Sequence, residues 1–254
     1  MSFDVAAEAY DRFMGRYSVP LAETFADWAR PPEHGRSLDV GCGPGALLGV
    51  LSRRFGPDDV AGVDPSESFV AAAHERHPWA DVRHGKAEAL PFDDDTFDAT
   101  LASLVVHFMT DAAAGAREMV RVTRPGGVVA ACVWDFSGQR APQSAFFSAL
   151  SEVADGIDDE TDRAGAAAGD LGALLRGAGC AGVEETELCV DVSYAGFDEW
   201  WEPYTLGVSP AGKQLQALPE EQRVLVRSRC AGLMPAGPFT VTATAWAARG
   251  MVPR

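Results

Sequence analysis

The stretch Leu38-Asp39-Val40-Gly41-Cys42-Gly43-Pro44-Gly45 decides the fold of this chain. An apolar strand runs into a turn dense in glycine, and a helix-like segment from about Ala46 to Phe55 follows. Glycine has no Cβ and tolerates positive φ, so a ligand can approach its backbone closely. Such a turn, opening on a helix N-terminus, suits a nucleotide-like or anionic group. Gly41, Gly43 and Ala46 also satisfy the dinucleotide pattern G-x-G-x-x-G/A. A plain strand-to-helix turn would use the same glycines.

Working outward, Val60 to Val63 reads as a second strand ending at Asp64, with Pro65-Ser66 starting a helix through about Arg76. An acid at that strand end can accept both ribose hydroxyl hydrogens, and it also suits a helix N-cap. Trp79 to Arg83 and Phe97 to Leu104 read as strands, Asp111 to Arg121 as a helix. Pro125-Gly126-Gly127 then turns into a strand from Val128 to Trp134. Strands alternating with helices at this spacing imply right-handed crossovers and a mostly parallel sheet. Upstream, Tyr10, Phe13, Met14 and Tyr17 share one face of a helix spanning Ala6 to Trp28, which Pro20 is expected to break or restart. Downstream, Gly169 to Gly177 reads as a helix, and Val183 to Val192 and Phe239 to Ala247 as strands. Asp155 to Asp170 reads as a mobile loop or a weak helix. Between the late strands lie an aromatic-rich helical stretch (Phe197, Trp200, Trp201, Tyr204) and Pro219 to Arg229.

The chain's 254 residues suit one large α/β domain, and 47% apolar residues suffice for a real core. Three parts are expected within it: N-terminal cap helices (1–33), a core (34–135), and a C-terminal half (136–254) with a cap insertion at 193–238. The net charge of −16 argues against a nucleic-acid or anionic-membrane partner. No window reaches the apolar length of a membrane span, and acids stand where a secretory leader carries bases. The five cysteines are scattered without C-x-x-C spacing, as expected of reduced thiols in the cytoplasm. No metal is expected: His74, His77 and His84 straddle a helix end and a strand, and Asp93 to Asp95 reads as a solvated turn.

Four ordered motifs carry a resemblance to class I S-adenosylmethionine-dependent methyltransferases: L-D-V-G-C-G-P-G, V-D-P-S (63–66), F-D-A-T-L-A-S (97–103) and V-T-R-P-G-G-V-V (122–129). The likeness covers about Tyr10 to Trp134 and is closest to small-molecule enzymes that include ubiquinone-biosynthesis C-methyltransferases. It implies a doubly wound, Rossmann-like sheet of seven strands, mostly parallel with an antiparallel last strand, plus helical cap elements. It implies S-adenosylmethionine as cofactor, S-adenosylhomocysteine as product, and a small, partly apolar methyl acceptor. By the same resemblance, Gly41, Cys42 and Gly43 approach the methionine part and Asp64 holds the ribose. Pro65, Ser66, Ala87 and Glu88 flank the adenine, while Ser103 and Leu104 face the amino group through their carbonyls. Tyr10 and Tyr17 close over the cofactor, and Arg16 pairs with its carboxylate.

A sulfonium already activates the methyl group, so alignment and exclusion of water carry much of the rate. A general base is needed only if the acceptor enters protonated. His107, just past Leu104, is the candidate; a packed histidine at a strand end is the structural alternative. The rival functions are a non-catalytic, cofactor-binding regulator of the same fold and a nicotinamide-dependent oxidoreductase. The latter calls for a catalytic Tyr-Lys or similar pair, which is not evident in the chain.

Overall fold

Strand and helix alternate from residue 37 to residue 134, and the pattern of burial explains why. In the computed structural model, which describes residues 10–32, 34–207 and 209–254, strands β1 (Ser37–Val40) and β2 (Val60–Asp64) are buried at every position. Such strands need helices on both faces of the sheet. After an N-terminal helix α1 (Arg16–Ala29), the core continues with β1, α2 (Ala46–Phe55), β2, α3 (Glu67–Arg76), β3 (Asp81–His84), β4 (Phe97–Ser103), α4 (Ala112–Val122) and β5 (Thr123–Trp134). The second half adds α5 (Ser144–Ser151), α6 (Asp170–Gly177), β6 (Ala181–Tyr194), α7 (Phe197–Trp201), α8 (Pro210–Ala217), α9 (Glu220–Leu233) and β7 (Phe239–Met251).

The seven strands are ordered β3-β2-β1-β4-β5-β7-β6. The first five pair in parallel, and β7 runs antiparallel to both β5 and β6. The chain winds outward from β1 to β3, then returns to place β4 on the other side of β1. This reversal leaves a crevice at the carboxyl ends of β1 and β4, where open α/β sheets bind ligands. The expected seven-stranded, mostly parallel sheet is the one observed.

Local differences from the sequence expectations have physical causes. Pro20 does not break the first helix. It lies inside α1 just after a π turn, Asp11–Gly15. Its ring removes one ladder donor from a helix already running from the π turn, and the buried face formed by Tyr17, Leu21, Phe25 and Ala29 holds the helix together across it. The segment Ala6 to Ala9 expected to begin that helix lies outside the described residues. Pro125-Gly126-Gly127 falls within β5, where the pairing jumps from Phe97↔Thr123 to Ala99↔Val128. The extra residues bulge from the ladder, pinned by Gly126 N–H to the Val252 carbonyl and Val252 N–H to the Gly127 carbonyl. Helices α5 and α8 were not legible. The first, SAFFSALS, has no charged residue to mark a polar face, and the second, PAGKQLQA, carries a glycine in its middle. Among the described residues, no helix is long and apolar enough to cross a membrane.

Candidate active site

The glycine turn is clamped to the end of β2. Gly41 and Cys42 donate their N–H groups to the Val63 carbonyl at 2.8 and 3.0 Å, and Gly43 donates to Asp64 Oδ2 at 2.9 Å. Asp64 Oδ1 accepts from Ser66 N–H at 2.8 Å. One carboxylate thus spans the first two βα turns. Gly41, Gly43 and Gly45 all have positive φ (69°, 52° and 102°). The reasons at 41 and 43 differ. A Cβ at 41 would overlap the Val105 side chain, whereas a Cβ at 43 would meet nothing within 4 Å. Gly43 therefore borders open space, and Gly41 is required by packing as well as by conformation.

That space is a cleft of about 390 Å³ over the carboxyl ends of β1, β2 and β4. Its walls are the glycine turn, Asp64 and Pro65, Phe69 of α3, residues 85–88, 103–105 and 108–110, and Tyr10. Tyr10 packs edge-on against Phe69 (centroids 5.2 Å apart), so the N-terminal segment closes one side. Leu104, the residue after β4, has φ 59°, rare for a residue with a Cβ, and its N–H donates to the Cys132 carbonyl at 2.8 Å. Such backbone strain clusters at functional sites. Glu88 accepts from Thr110 N–H at 2.7 Å and joins the far wall to the segment after β4.

Electrostatics beneath the turn are unusual. Burial raises the Asp39 carboxyl to about 8, with the Asp64 charge adding to the effect. Burial also raises Asp64, opposed by its hydrogen bonds from Ser66 and Gly43. Two buried acids close together cannot both ionise cheaply. Asp64, with its backbone donors, is the better placed to hold the charge.

Tyr10, Gly41, Gly43, Asp64, Pro65, Ala87, Glu88, Ser103 and Leu104 all line the cleft. Five other predicted residues do not. Arg16 donates to Glu199 at 2.8 Å and to the Ser193 carbonyl at 2.7 Å, and it stacks on Tyr194, so it ties α1 to β6 and α7. Tyr17 is buried, its hydroxyl 2.8 Å from that of Tyr194 and its ring edge-on to Trp134, so it braces the same junction. Cys42 turns its thiol inward against Gly62. Ser66 caps α3 by accepting from Phe69 N–H.

His107, the fifth, lines an inner chamber beyond Leu104. Its ring lies against Phe108 and Phe136, with centroids 3.9 and 5.6 Å away. Burial, and secondarily the Arg163 charge, depress its pKa to about 3. The imidazole is therefore neutral, the form a general base requires, but the lowered pKa makes it a weak proton acceptor. Gln143 and Glu160 line the same chamber and were missed. Glu160 lies in the acidic loop expected to be mobile, where nothing in composition separates it from its exposed neighbours.

Sheet order, glycine turn and acid at the end of β2 together define a doubly wound, Rossmann-like fold. Residues 38–131 match the family model described as a methyltransferase domain. The chain is 43% identical over 138 residues to demethylmenaquinone methyltransferase of Roseiflexus castenholzii, a match covering 50% of this chain and 56% of that protein. It spans about half the length of the curated relatives it matches. Among solved structures, the YcgJ protein of Bacillus subtilis superposes with a TM-score of 0.60 at 19% identity, covering 94% of this chain and 99% of that one. The cyclase SpnF superposes with a TM-score of 0.56 at 20% identity, covering 93% and 81%. At these identities the structural likeness establishes the fold alone, and one fold hosts more than one chemistry.

Proposed function

We propose that this chain binds S-adenosylmethionine in the cleft over β1, β2 and β4 and transfers its methyl group to a small, partly apolar acceptor. The Asp64 carboxylate carries the proposal. Each of its oxygens takes one backbone N–H, which leaves lone pairs on both to accept ribose hydroxyls. Gly43 beside it leaves room for the amino-acid end of the ligand, and a volume of about 390 Å³ falls in the range of small-molecule sites.

S-adenosylmethionine, when bound, supplies an electrophilic methyl group on sulfur. The chain's own residues have the remaining tasks. Asp64 and the glycine turn orient the cofactor, Tyr10 and Phe69 shield one side from water, and the strained Leu104 presents its backbone at the boundary with the inner chamber. With a weakly basic ring, His107 is better suited to hydrogen-bond an acceptor than to take its proton.

Calorimetric titration with S-adenosylhomocysteine and with NAD tests the cofactor. The expected result is binding of the first alone; binding of NAD alone would overturn the proposal. Transfer of radiolabelled methyl to a panel of metabolites tests turnover. Tight cofactor binding with no transfer to any member would favour a regulator that kept the fold.

A further inference from the structure

Helix α9 lies against α5 and buries only Val226 and Cys230. Its outer side is the more apolar one. Among the described residues six large apolar side chains are exposed, and three belong to this helix: Val224 at 60%, Leu225 at 45% and Leu233 at 51%. Val224, Leu225, Ser228, Ala231 and Gly232 share one helical face, opposite Val226 and Cys230, and all five are exposed. No charge interrupts that face between Val224 and Gly232. The helix's arginines are tied to acids of the same chain: Arg223 to Glu220 and Arg227 to Asp198, both at 2.6 Å, and Arg229 to Glu152 at 3.5 Å. An open groove of about 350 Å³ runs along the face, lined by Glu152, Leu225, Ser228, Arg229, Gly232 and Leu233. Glycine weakens a helix interior relative to alanine. Yet a Cβ at Gly232 would meet nothing within 4 Å, so no contact within the chain calls for it.

We propose that α9 docks a second copy of this chain, the two helices pairing antiparallel about a two-fold axis at Ser228. The residue pattern is self-complementary about that position. Val224 and Gly232 are equally far from Ser228 along the helix, and so are Leu225 and Ala231. An antiparallel pair therefore sets each large side chain of one copy against a small residue of the other. It does so twice, as a closed two-fold interface requires. Ser228 meets itself at the axis and is small enough to let the helices come close. Gly232 then has a reason, clearance for Val224 of the other copy. Charge selects the same partner. With a net charge of −16, two copies repel across most of their surfaces. Here the face is uncharged, and the groove's rim carries one cation and one anion, Arg229 and Glu152, which a copy turned by the two-fold axis meets in balance. A lipid surface would be served by large side chains along the whole face, and small residues at 228, 231 and 232 gain nothing there. One helix pair is a small interface, so the dimer is a weak one that exchanges with monomer.

Sedimentation velocity on the full chain, from about 1 to 200 µM, should show a species of 26.9 kDa giving way to one of twice that mass. Leu225→Glu, at an exposed position, should fold normally and weaken the dimer at least tenfold. Gly232→Ala should raise the melting temperature of the dilute monomer and yet weaken the dimer; a role confined to the helix would move both in one direction. Register is read by oxidative cross-linking in a Cys189→Ser background, which removes the exposed native thiol. Ser228→Cys should cross-link to its own copy. Val224→Cys should not, because its counterpart lies about 12 Å away along the pair, at 1.5 Å per residue. Three outcomes would overturn the proposal: a monomer at every concentration, a dimer that neither variant weakens, or equal cross-linking at 224 and 228. Co-sedimentation of the monomer with phosphatidylcholine–phosphatidylglycerol vesicles, lost in Leu225→Glu, would overturn it as well and assign the face to a lipid surface.

Discussion

Asp64 shows how much a single carboxylate can organise. It is buried, bonded to the backbone of two turns, and faces the cleft. Asp64→Ala should weaken S-adenosylhomocysteine binding by about 1–3 kcal/mol through lost charge-assisted hydrogen bonds, measured by calorimetry; unchanged affinity would remove its ribose role. Gly41 and Gly43 separate packing from binding. Gly41→Ala should destabilise the fold by about 2–4 kcal/mol, since left-handed strain adds to overlap with Val105. Gly43→Ala should pay only the strain, about 1–2 kcal/mol, and lose more in cofactor affinity. Denaturant unfolding beside calorimetry distinguishes them. Asp39 makes stability depend on pH. Its native pKa, about 8, lies above the ordinary 3.8, so the folded state holds the proton more tightly. Stability from this group is therefore full below about pH 4 and falls as pH rises toward 8. The total is on the order of a few kcal/mol at about 1.4 kcal/mol per pKa unit. Urea unfolding at pH 5 and pH 8 should show a smaller loss in Asp39→Asn than in the parent chain.

Among the elements, the junction of α1 with β6 and α7 decides where the cap sits. Arg16 reaches Ser193 and Glu199, Tyr17 meets Tyr194, and Arg12 pairs with Glu202. These contacts join residues more than 170 positions apart in sequence. Tyr17→Phe should cost about 1 kcal/mol of stability by leaving the Tyr194 hydroxyl unpaired. Cofactor affinity should stay within about twofold, since Tyr17 does not border the cleft. A large affinity loss would return Tyr17 to the binding machinery. From one sequence the aromatic spacing of α1 is legible, but the face it packs on is not. Tyr10 and Tyr17 lie on one helical face, and yet only Tyr10 reaches the ligand space. The core elements were read closely, β1 and α2 to the residue, because strands buried on both faces and bounded by glycine or proline leave few alternatives. The short helices of the second half carry no such marks.

At the scale of the molecule, a continuous core runs from Phe13 through the sheet to Ala248, beneath a surface rich in acid. The excess negative charge predicts self-repulsion, which salt screens. Raising ionic strength from 10 to 150 mM should therefore increase the melting temperature; a fall would show that surface ion pairs outweigh the repulsion. Hydrophobic periodicity and turn residues, by themselves, determined the parallel sheet, the glycine turn at its centre, and Asp64 at the end of the next strand. Each is a local consequence of which residues can be buried and which backbone angles glycine permits. Only the tertiary structure decided that Arg16 and Tyr17 brace the cap, that His107 is a neutral, buried ring, and that Gln143 and Glu160 join it around one chamber. Burial and the presence or absence of a hydrogen-bond partner belong to neighbours brought together from across the chain. No window of sequence contains them.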